Sequence, residues 1–411
     1  MYDTDEHTAG EVGALGRLGL TELAAAVGGI GRIHSSISGN IFRVLDVAVG
    51  RRARTARILH DTISGSVYTA IAEILGVAAD VAEVLPEPER RPSDTRRGAA
   101  LVGILNGLIG DELADRGSPL AGSMSIRSDG AVVSLSPSAI HDAFPDATGH
   151  LVVFVHGLME TEHAWAVGGR PTYGARLRAD IRATPVDVRY NTGRHISDNG
   201  RDLCDLLSEL VGRWPVPPTR ITLVGHSMGG LVIRSACDHA MTDGSRWLPL
   251  LTDTVSLGTP HLGAPLARGV GIATTILGGT QMTSPVGDLL RRRSAGVRDL
   301  VQGRIRAEDW SDADPDAMSE PRIVDVALLP WVRHLIVTAT ITSNPDHPVG
   351  KLIGDGLVRA ASGRGTGRDR VLGFRPWDTM HLGAAHHFTL LNDDEIYMWL
   401  RTNLAPRALP A

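Results

Sequence analysis

The sequence predicts an α/β fold built on a mostly parallel sheet with helices on both faces. Three observations predict it. From residue 130 onward, short apolar runs alternate with helical patterns. One run, Leu151-Val152-Val153-Phe154-Val155, is continuously apolar, as a strand covered on both faces must be. A glycine-flanked serine, Gly225-His226-Ser227-Met228-Gly229, sits between a strand-like and a helix-like run.

The chain has 411 residues, long enough for one large domain plus an extension. Hydrophobic residues make up 43%, enough for a buried core, and mean hydropathy of zero argues against a polytopic membrane protein. Net charge is -5, so nothing points to a nucleic-acid partner. Cys204 and Cys237 form no disulfide framework or zinc set, and both lie in apolar helical patterns that suit core packing. The acidic start, Met1 to Glu6, lacks the basic region of a secretory signal. No stretch reaches the ~18 apolar residues of a membrane span. These features lead to the expectation of a cytoplasmic protein.

Residues 1–117 read as a helical N-terminal extension. Leu15 to Val49 is rich in Gly, Ala and Ser, and Ile58 to Leu85 carries apolar residues at helical spacing. Pro86 to Pro92 is a linker, and Ala99 to Leu113 a short apolar helix. The expected role is a layer packed on the catalytic domain or a homo-oligomer surface. The competing role is peripheral membrane contact, with Arg43, Arg51, Arg52, Arg54 and Arg57 facing anionic headgroups.

The expected strands follow in order: 131–135, 151–155, 186–190, 221–224, 254–257 and 335–341, with 369–372 as an edge strand. Helices are expected over 196–211 and 395–404. The catalytic domain spans 130–405. The stretch 260–330 breaks the alternation and leaves the sheet after Gly258-Thr259-Pro260-His261, at the active-site edge. Residues 263–330 are therefore expected to form a cap or lid.

Serine needs a base to take its proton, and the base needs a carboxylate to fix its tautomer. Ser227 is the expected nucleophile. Gly225 and Gly229 fit a turn too tight for side chains. Asp355, in Gly354-Asp355-Gly356, is the favoured acid, with Asp346 its competitor and Asp253 weaker because it precedes its strand. The base lies among His381, His386 and His387, in that rising order of preference. No carboxylate or cysteine accompanies these histidines at ligand spacing, so neither a metal nor a cofactor is expected. The backbone N–H groups of Met228 and of Leu158, in His156-Gly157-Leu158, are the expected oxyanion donors. His156 and His226 are read as scaffold.

The blocks Val155-His156-Gly157-Leu158, Gly225 to Gly230, Ser256-Leu257-Gly258-Thr259-Pro260-His261-Leu262-Gly263, Gly354 to Val358 and His387 to Leu391 together resemble α/β-hydrolase lipases and esterases. The likeness is nearest to bacterial triacylglycerol lipases and the GPI inositol-deacylase-like group. It covers about residues 130–405 and does not reach 1–117. It implies Ser227, Asp355 and His387 as a triad, with Leu158 and Met228 as oxyanion donors. The activity implied is hydrolysis of a lipid or other hydrophobic ester through an acyl-enzyme. The alternatives are an acyltransferase, or a catalytically silent binding protein on the same fold.

Overall fold

A computed structural model describes residues 91–264, 294–310, 326–368 and 370–405, together with Glu11, Ala14 and Ile323. The expectations for 15–85, for the arginines at 43–57 and for most of the lid lie outside the described residues.

The described chain begins with helix α1 (Arg96–Asp115), strands β1 (Ser125–Ser128) and β2 (Ala131–Val133), and helix α2 (Pro137–Ala143). Strand β3 (His150–Val155), α3 (Tyr173–Ile181), β4 (Thr184–Arg189), α4 (Ile196–Arg213), β5 (Arg220–His226), α5 (Met228–Asp243) and β6 (Leu251–Leu257) form the alternating middle. Then come α6 (Ala295–Gln302), β7 (Arg333–Thr340), α7 (Pro348–Ile353), the single turn α8 (Ala360–Gly363), β8 (Thr379–Gly383) and α9 (Asp394–Leu404).

The eight strands form one sheet in the order β2-β1-β4-β3-β5-β6-β7-β8. Strands β3 to β8 run parallel, and β1 pairs antiparallel with β4 and with β2. The two edges differ from the sequence expectation. Strand β1 holds one apolar residue in four, so it carried no hydrophobic signal. The far edge is β8; of the edge strand expected over 369–372, the described residues Arg370 to Leu372 join no strand of the sheet, and Val371 makes an isolated bridge to Thr366. Its neighbour β7 supplies the ladder that holds Thr379 to Gly383 extended, which local pattern could not reveal.

Side chains alternate across the sheet, and the core divides accordingly. Leu151, Val153, Val155 and Leu223 face α2, α4 and α5. Val152, Phe154 and Val224 face α3 and α9. Each such buried side chain contributes about 1.5–3 kcal/mol. Helix α4 is amphipathic, with Leu203, Leu206, Leu207 and Leu210 on its buried side, and Cys204 and Cys237 are buried free thiols in the same core. Asp393 caps α9 by accepting from Glu395 N–H and Ile396 N–H.

Helix α1 packs on the catalytic body. Its glycines leave no room for side chains: a Cβ on Gly107 would lie 2.2 Å from Met159 Cγ, and one on Gly110 2.0 Å from Asn191 Oδ1. Asn191 Nδ2 donates to Gly110 O at 2.8 Å. The segment 294–310 is tied down too. Ser294 Oγ donates to Gly107 O at 2.7 Å, and Asp299 accepts from Ile196 N–H at 3.0 Å. Among the described residues, no helix is long and apolar enough to cross a membrane.

Candidate active site

Five loops leave the carboxyl ends of parallel strands β3, β5, β6, β7 and β8, and the polar residues of the site stand on them. The elbow after β5 is the most constrained. Ser227 has φ 51° and ψ -119°, a conformation that costs an L-residue of order 1–3 kcal/mol. A Cβ on Gly225 would lie 2.5 Å from Gly230 N, and one on Gly229 2.2 Å from Val155 O. Only glycine fits either position. The Ser227 N–H donates to Leu257 O at 2.9 Å, which ties the turn to the end of β6.

Asp355 and His387 meet in the interior beside this elbow. His387 Nδ1 lies 2.7 Å from Asp355 Oδ2, and the His387 N–H donates to Asp355 O at 3.0 Å. The other carboxylate oxygen accepts from Leu357 N–H and Val358 N–H at 3.0 and 2.8 Å. Gly354, at φ 65°, makes this tight loop feasible, since a Cβ there would strike Val358 O. The imidazole lies over Gly258: a Cβ there would sit 3.1 Å from both His387 Cε1 and Nδ1. Burial alone would push His387 down. The Asp355 charge and hydrogen bond, with a further contribution from Glu160, outweigh it and hold the imidazole above its usual value of 6.5.

The other acids and histidines stand elsewhere. Asp346 is exposed and pairs with Lys351 at 3.0 Å. Asp253 is buried at the start of β6, between Arg220 and Arg333. His381 lies on β8, with Nδ1 2.9 Å from Thr338 Oγ1 and Nε2 3.1 Å from Thr340 Oγ1. His386 precedes the single 3₁₀ turn that His387 opens, and its N–H donates to Thr389 Oγ1. Among the described residues there is no group of three or more His, Cys, Asp or Glu that could hold a metal ion.

On the other side of Ser227, the turn after β3 presents its backbone. The Gly157 N–H is taken by Glu160 Oε2 at 2.7 Å. Among the described residues, the N–H groups of Leu158 and Met228 have no partner. His156 is neutral scaffold: Tyr190 N–H donates to its Nε2 at 3.4 Å, so its Nδ1 carries the proton and donates to Gly157 O at 3.0 Å. Burial pushes its pKa down, which keeps the ring neutral. His226 Nδ1 lies 3.0 Å from Glu160 and its Nε2 3.3 Å from His387 O.

Sequence reasoning did not single out Glu160. Its partner His226 is far along the chain, so no local pattern links them. Its place three residues after the His-Gly turn was the available signal. Glu162, two residues on, was also missed; it forms a buried fork with Arg189, one arm of which is 2.7 Å.

A family model described as "Putative serine esterase (DUF676)" matches residues 145–285, which include the turn after β3, the elbow and Gly258. The chain is a serine hydrolase of the α/β-hydrolase fold. No curated protein matches the hydrolase. Among solved structures it is similar to a lipase from Bacillus licheniformis in its mature form, at 17% identity over 62% of this chain and 92% of that one, with a TM-score of 0.41. It is also similar to a thioesterase from the prodiginine biosynthetic pathway of Streptomyces coelicolor, at 19% identity over 63% and 92%, TM-score 0.37. A phospholipase from Legionella pneumophila is similar at 16% identity over 52% and 45%, TM-score 0.33.

Proposed function

We propose that this serine hydrolase cleaves carboxylic esters through an acyl-enzyme, with a lipid or other hydrophobic ester as substrate. The observation that carries the reading is the buried Asp355–His387 pair, packed against His226 of the elbow that bears the strained Ser227. Ser227 Oγ attacks the ester carbonyl carbon as His387 takes its proton. Asp355 holds the imidazole tautomer and stabilises the imidazolium. The N–H groups of Leu158 and Met228 receive the oxyanion; loss of one such donor typically costs ~10²–10³ in kcat. His387 then protonates the leaving alkoxide. Water, deprotonated by His387, attacks the acyl carbon; the Oγ–C bond breaks, the carboxylic acid leaves, and His387 returns the proton to Ser227 Oγ.

The apolar character of the substrate is supported by what surrounds the acid and base. Phe388, next to His387, is 40% exposed, and its ring stands edge-on to the imidazole with centroids 5.7 Å apart. Leu357, two residues after Asp355, is also exposed. Large apolar side chains left in solvent beside a buried polar pair suit an acyl chain.

Turnover of a p-nitrophenyl ester series, from short to long acyl chains, tests this reading. Wild type is expected to prefer medium or long chains, and Ser227→Ala to lose turnover by several orders of magnitude. A preference for acetate would remove the hydrophobic substrate from the reading. Turnover surviving Ser227→Ala would remove the mechanism.

A further inference from the structure

We propose that Glu160 is a positioning residue of the hydrolytic site, which locks the elbow histidine and the turn after β3 together and supports the imidazolium form of His387. This rests on the reading of Ser227 and His387 given above.

One carboxylate joins three loops. Glu160 Oε2 accepts the Gly157 N–H at 2.7 Å and lies 3.0 Å from His226 Nδ1. His226 Nε2 lies 3.3 Å from the carbonyl oxygen of His387. The loop that bears the base is thus linked to Glu160 through a single imidazole. The two imidazole rings are close, with centroids 4.7 Å apart. Gly157 makes the junction feasible, since a Cβ there would lie 3.0 Å from Glu160 Oε2 and 3.1 Å from His226 Nδ1.

The link also fixes a neighbour. With its N–H committed to Glu160, Gly157 holds the following peptide, and so directs the Leu158 N–H. Removing the carboxylate would leave that peptide held by its carbonyl alone, which accepts from the Glu160 N–H at 3.2 Å and from His156 Nδ1 at 3.0 Å.

Charge gives Glu160 a second part. Its side chain is 11% exposed. Burial alone would raise its pKa, but the charge and hydrogen bond of His226 and the hydrogen bond from the Gly157 N–H outweigh it and keep the carboxyl below its usual value. The Glu160 carboxylate stands one imidazole away from His387, across the His226 ring; a negative charge kept there favours the protonated form of His387, in the same direction as the larger contribution of Asp355. The groups that face His387 are Asp355 from the loop after β7, Glu160 from the turn after β3, and His226 from the elbow. His226 and His156 face Glu160. Glu162, the next carboxylate along, is occupied by Arg189.

The sign of the effect follows. Acyl transfer needs neutral His387, so the acid limb of kcat/KM follows its titration. Loss of the Glu160 charge is expected to lower the His387 pKa and move that limb to lower pH. It must also lower the plateau kcat, because the imidazolium of the transition state loses support. A group that only stapled the turn would lower kcat without moving the limb.

The test compares wild type with Glu160→Gln and Glu160→Asp. The pH profile of p-nitrophenyl ester hydrolysis is measured together with the NMR titration of the His387 Cε1–H. In Glu160→Gln both are expected to move to lower pH, with kcat about ten-fold down and KM within about two-fold. Glu160→Asp keeps the charge and is expected to hold the wild-type limb. An unmoved limb in Glu160→Gln, with or without loss of kcat, would overturn the proposal. Wild type gives a readout that needs no variant: the Glu160 carboxyl ¹³C signal is expected to titrate below the ordinary carboxylate value, and titration above it would overturn the proposal. Failure of the hydrolytic reading shows separately, as turnover that survives Ser227→Ala, and the NMR titrations need no turnover.

Discussion

His387 Nδ1 stands 2.7 Å from Asp355 Oδ2, and both side chains are almost wholly buried. The contact fixes a tautomer. With Nδ1–H donating to the carboxylate, Nε2 is left as the basic nitrogen. Asp355→Asn would keep the shape but lose the charge, and the amide would reward the wrong tautomer. It is expected to lower kcat for a p-nitrophenyl ester by about 10³–10⁴ with little change in KM. A fall of less than ten-fold would take Asp355 out of its role.

On the proposed mechanism the same pair is expected to set opposite pH trends for activity and stability. The folded-state pKa of His387 is raised, so its pairing stabilises the fold fully below pH 6.5 and that share is lost as pH rises through the raised value. The proposed mechanism needs the neutral imidazole, so activity is expected to rise through the same window. Profiles of kcat/KM and of melting temperature, measured on wild type and on His387→Gln, check this. The acid limb of wild type should lie above 6.5, and its stabilisation relative to the variant should shrink across that limb.

Much of the site was legible because its constraints are local. Gly225 and Gly229 flank Ser227 for steric reasons confined to one turn, and such reasons are written in adjacent residues. The central strands were legible because burial on both faces demands unbroken apolar runs. The sheet edges were not. Strand β1 is half polar, and β8 carries His381, which bonds Thr338 and Thr340 across the ladder. For α1, packing on the catalytic domain was one of the expected roles, but its contacts with Met159 and Asn191 were hidden. Gly103, Gly107 and Gly110 fall at helical i, i+4, i+7 spacing, which marks a close-packed face, but sequence could not say against what.

That face yields a prediction. A Cβ on Gly193 would lie 2.0 Å from Asn106 O and 2.7 Å from Gly110 N, both backbone atoms of α1. Gly193→Ala must therefore push the helix outward, at a cost of about 1–3 kcal/mol. Because α1 also packs on Met159 in the turn that holds Leu158, ester turnover should fall along with the melting temperature. Unchanged stability would mean that α1 yields without resistance.

The Glu162–Arg189 fork concerns stability alone. Both side chains are less than one-tenth exposed. Burial would raise the Glu162 pKa, but the Arg189 hydrogen bonds and charge outweigh it and hold the carboxyl below its usual value. Glu162→Gln leaves a buried guanidinium without its counter-charge and is expected to cost about 3–5 kcal/mol in urea unfolding. A change under about 1 kcal/mol would show that water or neighbours replace the partner.

The central claim is that Ser227 carries the acyl group between two half-reactions. Rapid acid quenching of a p-nitrophenyl ester reaction, followed by peptide mass mapping, tests it most directly. The prediction is one added acyl mass on the peptide containing Ser227, formed as p-nitrophenolate is released and absent in Ser227→Ala. Product release with the acyl mass on another residue, or undiminished turnover by Ser227→Ala, would contradict it.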